Sequence, residues 1–204
     1  MTGNVFRVTL KARHTMSYKY VLSGVICLVI WFFNGKWLIH AIRERITSEI
    51  YMHVGLGIFL TLLTLELILG DAVAGRQLDI LWLQILGFIL YIPAFVLVAA
   101  SFFALNQKGQ ASDLTETLVF IDTGIYGIVR QPMALGCAIW STALILVFRS
   151  VFSLILGLLC GFLFWMAART EDAYDIRKFG DQYREYMKRV PMWNVFKGLA
   201  RRRT

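Results

Sequence analysis

The sequence predicts an all-α integral membrane protein: about five transmembrane helices, the last two a tight hairpin, plus an amphipathic C-terminal segment. Three observations carry this prediction. Of the 204 residues, 58% are hydrophobic and the mean hydropathy is +0.63, above the ~45–50% apolar content of soluble domains. The apolar residues gather in runs, most of them close to the ~20 residues needed to cross a hydrocarbon core. The basic residues, which bring the formal charge to +8, crowd the ends of those runs and the tail, where snorkelling side chains meet headgroups.

The first span is expected from Tyr18 to His40, through "VLSGVICLVIWFFNGKWLI". Basic residues precede it as they do in a secretory signal, but "NGKWLIH" offers no small-residue cleavage site, so a retained helix is expected. Lys36 can reach an interface from there. The second span covers Tyr51 to Gly70 and the third Ile80 to Leu105. A polar loop, "NQKGQASDLTETLVFIDTG", then leads into "GIYGIVRQPMALG". Two shorter runs, Ala134–Phe148 and Val151–Ala168, are separated only by Arg149 and Ser150. So short a connection makes an antiparallel hairpin. The whole reads as one domain, 1–204, with three helices over 18–105 and the loop, hairpin and tail over 106–204.

From Glu171 the chain turns polar, yet Ile176, Phe179, Tyr183, Tyr186 and Val190 recur at helical spacing. This segment is expected to lie on the membrane face with its aromatics in the interface, ending at Pro191. With five crossings, the first and third loops share a side with the tail and hold most of the 21 lysines and arginines. That side is predicted cytoplasmic, although Arg7, Lys11, Arg13 and Lys19 at the N-terminus pull the other way.

The positive charge comes with no nucleic-acid motif, so no such partner is expected. Cys27, Cys137 and Cys160 lie inside apolar runs and are read as packing residues. His14, His40 and His53 lack ligand spacing, so no metal is expected. Glu66 is an acid within a span; it either serves function or reaches the far interface, one helical turn away.

"GIYGIVRQPMALG", a helical hairpin and "RTEDAYDIRKFGDQYREYMKRVP" occur in this order and separation. Together they resemble the isoprenylcysteine carboxyl methyltransferase and phospholipid methyltransferase superfamily of integral-membrane methyltransferases. Its usual pattern is G-x-Y-x-x-x-R-H-P-x-Y-x-G, a hairpin, an acidic cluster and F-G-x-x-Y-x-x-Y-x-x-x-V-P. The likeness runs from Phe102 to Pro191.

The resemblance implies methyl transfer from S-adenosylmethionine, with S-adenosylhomocysteine as product, to a lipid or other hydrophobic acceptor at the cytoplasmic interface. A prenylcysteine carboxylate, a phospholipid amine and a small thiol all fit. Carried over by position, Tyr126 packs on the cofactor, and Leu118, Val119, Phe120 and Ile121 contribute backbone. Gln131, Pro132, Met133 and Ala134 line the hairpin entrance, Glu171 binds from the second half, and Gln110 adds a polar contact. Arg130, Gln131 and Arg169 are the catalytic candidates, the arginines as orienting groups. Asp172 is expected to be solvated.

Two positions depart from the pattern. Gln131 stands where histidine is usual, and it keeps a donor and an acceptor but cannot titrate. Ala134 replaces a tyrosine and widens the pocket. Two other readings fit the same residues: an NADPH-dependent lipid or sterol reductase, and a non-enzymatic relative that retains the fold.

Overall fold

The computed structural model describes residues 2–70, 80–108 and 120–202. Among them the chain is helical throughout: α1 (Thr2–Arg43), α2 (Thr47–Leu69), α3 (Leu81–Lys108), a single 3-10 turn (Gly124–Gly127), α4 (Pro132–Phe148), α5 (Val151–Phe179), α6 (Asp181–Arg189) and α7 (Val195–Arg202). Four helices are long and apolar enough to cross a membrane, and α4 is a shorter apolar helix of 17 residues. The protein is an all-α membrane protein, as its composition predicts.

The helices pack in the order α1, α2, α5, α4, α3, so the hairpin α4–α5 sits at the centre. Phe59 and Leu62 of α2 meet Cys137 and Leu144 of α4 and Cys160 and Phe164 of α5 in the main core. Two of the three cysteines thus pack as small apolar residues. Small residues let the backbones approach where lipid provides no hydrophobic drive. A Cβ on Gly136 of α4 would sit 3.0 Å from the Ala94 carbonyl oxygen of α3. Gly136→Val is therefore expected to force α3 and α4 apart, at about 1–3 kcal/mol, seen as earlier thermal unfolding in detergent.

The hairpin tip explains Glu66. Arg149 closes α4 in the left-handed region (φ 54°). Ser150 then caps α5: its Oγ accepts from the Ser153 amide at 2.8 Å, while the Ser150 amide donates to Ser153 Oγ at 3.1 Å. The Ser150 hydroxyl also donates to Glu66 Oε1. The acid is buried and ties α2 to the tip.

At the opposite end α5 runs three turns beyond the end of its continuous apolar run at Ala168, to Phe179. Gly180 ends it with φ +59°, a conformation open to glycine. α4, by contrast, spans only about 25 Å, less than the ~30 Å of a hydrocarbon core. The loop feeding α4 is thereby drawn down among the spans. Val129 packs with Leu97 of α3 and Leu135 of α4, joined by Ile125, Ile128 and Ile139.

Candidate functional site

Irregular backbone at that depth needs protein partners for its polar groups, and the tail supplies them. The Arg130 amide donates to the Pro191 carbonyl at 3.0 Å and the Gln131 amide to Met192 at 3.5 Å. The Tyr186 hydroxyl donates to the Tyr126 carbonyl at 2.6 Å. Two distant pieces of chain are thus stitched together at one end of the bundle.

Arg130 is the centre of the seam. Its Nε and Nη2 donate to Asp172 Oδ1 and Oδ2 at 3.2 and 2.8 Å, a two-pronged pair with both side chains about nine-tenths buried. Nη1 donates to the carbonyls of Met187 and Val190 at 3.2 and 2.5 Å. Burial works against the guanidinium charge, but the Asp172 carboxylate outweighs it and raises the Arg130 pKa. The Tyr183 hydroxyl donates to Asp172 Oδ1 at 2.7 Å, and Gln131 Nε2 lies 3.4 Å from both Asp172 Oδ1 and Tyr183 Oη.

This corrects two expectations. Asp172 is buried and receives four donors instead of being solvated. The aromatic face of the tail turns inward instead of lying in the interface. Tyr183 and Tyr186 are 2% and 1% exposed, and Phe120 packs edge-on against both, 5.8 and 5.0 Å between ring centroids. Tyrosine buries readily once its hydroxyl has a partner, and both hydroxyls here have one.

Behind the seam lies a second acidic pair. Glu171 and Asp175 are one turn apart on α5, hence on one face, and both act electrostatically on the Tyr126 phenol. Burial, then Glu171, pushes that phenol well above its ordinary pKa, so it stays neutral. Glu171 faces Ser48 at the start of α2. The Ser48 hydroxyl is buried and has no hydrogen-bond partner of good geometry among the described residues. The nearby cation acting on both acids is Lys178, an exposed side chain stacked near Tyr174 and Phe179.

Of the residues carried over from the family pattern, Tyr126, Phe120, Gln131 and Glu171 meet at this end. Ile121, half-buried, adjoins Phe120 in the chain. Pro132 opens α4 at its first position, where its missing amide costs nothing, and Ala134 is buried one turn inside. Met133 between them is half-buried. Arg169 faces outward: it is exposed, with its guanidinium 5.3 Å from the Trp165 ring one turn earlier. Gln110, Leu118 and Val119 lie outside the described residues.

Asp175, Ser48 and the inward hydroxyls of Tyr183 and Tyr186 escaped sequence reasoning. The only signal was the cluster of acids at 171, 172 and 175, the last of them three and four residues after the others, on a helix that outlasts its apolar run.

The phospholipid methyltransferase family model matches residues 82–182, from the start of α3 into α6. A Protein-S-isoprenylcysteine O-methyltransferase of Schizosaccharomyces pombe is 34% identical over 95 residues, which cover 43% of this chain and 40% of that relative. The chain thus spans less than half the length of the curated relative it matches. No solved structure matches it.

Proposed function

The chain belongs, through residues 82–182, to the integral-membrane methyltransferase family, and from that premise we propose that it methylates a lipid or other hydrophobic acceptor. The donor in this reading is S-adenosylmethionine, bound on the side shared by the tail and the loop before α4. That side is cytoplasmic in the same reading, by its basic residues. The acceptor is of the prenylcysteine carboxylate or phospholipid amine type.

One observation supports this reading most: two carboxylates, Glu171 and Asp175, act on Tyr126, and among the described residues no arginine is shown paired with them, since Arg130 is spent on Asp172. The donor carries positive charge at its ammonium and its sulfur, so the residues present fit it. When bound, it supplies a methyl group activated by the positively charged sulfur. Glu171 and Asp175 would hold the cationic groups through charge-assisted hydrogen bonds. The neutral Tyr126 would offer its ring face to positive charge, and the buried Ser48 hydroxyl beside Glu171 a further polar contact. In this reading the stitched loop and α6 would keep water from the donor, and the acceptor would enter from the lipid side. Holding the acceptor in line with the methyl group can remove a large entropic barrier.

Gln131 cannot take a proton, and it is engaged with Asp172 and Tyr183. An acceptor that arrives unprotonated, as a carboxylate already is and a free amine can be, needs no base at this position. In this reading Arg130 and Gln131 position the site without touching the reacting atoms.

S-adenosylmethionine and S-adenosylhomocysteine should each raise the unfolding temperature of the detergent-purified protein, whereas NADPH should leave it unchanged. A ligand at a hundred times its Kd stabilises by about 2.7 kcal/mol. Labelled methyl transfer, offered native lipid extract and prenylcysteine analogues in parallel, then identifies the acceptor. A shift with NADPH alone would turn the reading to the reductase, and no shift with any of the three to the non-enzymatic relative.

A further inference from the structure

The terminal helix α7 is not absorbed by the site. It is anchored on one side only. Val195 and Trp193 join Leu97, Val129 and Leu135 in the cluster that borders the loop. Gly198 lies so close to the Ile128 carbonyl that a Cβ there would meet its oxygen at 1.9 Å. The Asn194 side chain caps the first turn, accepting from the Lys197 amide at 2.9 Å.

The rest of the helix leaves apolar surface uncovered: Phe196 is 87% exposed, and Leu199, one turn on from Val195, is 44% exposed. Two features say what covers it. Leu97 and Leu135 belong to membrane helices, and Leu97 lies about 16 Å along α3 from that helix's end, so α7 docks on a cluster built from the spans themselves. Lys197 and the run Arg201–Arg203 flank the apolar residues, and no acidic residue follows Glu185 in the chain.

We infer that α7 is a membrane foot. Phe196 and Leu199 enter the interface of an anionic leaflet, and Lys197 meets its headgroups. The foot is tied to α6, because Arg201 Nη1 donates to the carbonyls of Lys188 and Arg189 at the end of that helix, at 2.9 and 2.7 Å. Negative lipid thereby holds α6 down on the seam. This inference rests on the membrane fold and stands independently of methyl transfer.

The test uses the full chain in nanodiscs, with Cys27, Cys137 and Cys160 changed to alanine and an environment-sensitive fluorophore on Phe196→Cys. Phosphatidylcholine discs are compared with discs also containing phosphatidylglycerol, each with and without brominated acyl chains. The label should emit to the blue and be quenched by bromine, more strongly with the anionic lipid. Lys197→Gln should weaken that lipid preference about five-fold, the share of one basic residue at such a surface. A label on Arg184→Cys, exposed on α6, marks the aqueous level and should not be quenched. Water-like emission at 196 would overturn the inference, as would equal quenching in both kinds of disc.

Discussion

Asp172→Ala is expected to destabilise the protein by about 3–5 kcal/mol, the usual consequence of leaving one member of a buried ion pair alone. The loss should appear as a large fall in the unfolding temperature in detergent. Asp172 receives both prongs of Arg130, the Tyr183 hydroxyl and the Gln131 amide. Its removal therefore strands a buried guanidinium and loosens α6 from α4 together. Arg130→Lys should not restore the wild-type melt, because one ammonium cannot reach Asp172 twice and two carbonyls as well. The double variant Arg130→Met/Asp172→Leu should recover much of the loss, since no buried charge is then left unpaired. If each single variant melts like the wild type, the seam does not hold the tail.

Glu171→Gln should do the opposite, although it changes the very next residue. The unliganded protein should melt no lower than the wild type, because the substitution removes one of three crowded carboxylates. The stabilisation by S-adenosylmethionine should nearly vanish. A hydrogen bond to a charged group contributes about 1.5–3 kcal/mol, which corresponds to roughly ten- to hundred-fold in affinity. Tyr126→Ala should show the same split, with a smaller loss. Undiminished cofactor affinity in both variants would remove them from the binding site. The contrast between positions 171 and 172 separates a residue that serves the fold from one that serves a ligand.

Much of the architecture was legible in the chain. The runs ending at His40, Gly70, Leu105, Phe148 and Ala168 announce membrane helices because lipid solvates only continuous apolar surface. Arg149 and Ser150 announce the hairpin because two residues leave room for nothing else. The spacing of Gly124, Tyr126, Arg130, Pro132 and Gly136, followed by the acids and the Phe179-Gly180 pair, was enough to point to the family, which the match over residues 82–182 bears out. These are local features, and each is set by residues within a few turns of one another.

What only the tertiary structure decided is the assignment of partners. A periodic row of tyrosines can face lipid or protein with equal local sense. Which it does depends on Phe120 and the Tyr126 carbonyl from the loop before α4 and on Asp172 from the end of α5, two distant parts of the chain. Asp172 and Glu171 look alike in sequence, and adjacent residues on a helix point about 100° apart. One therefore meets Arg130, 42 positions earlier, while the other faces Ser48 and Tyr126. Charge burial depends on what surrounds a group across the fold, and that surrounding is assembled only when the loop, the end of α5 and the tail meet.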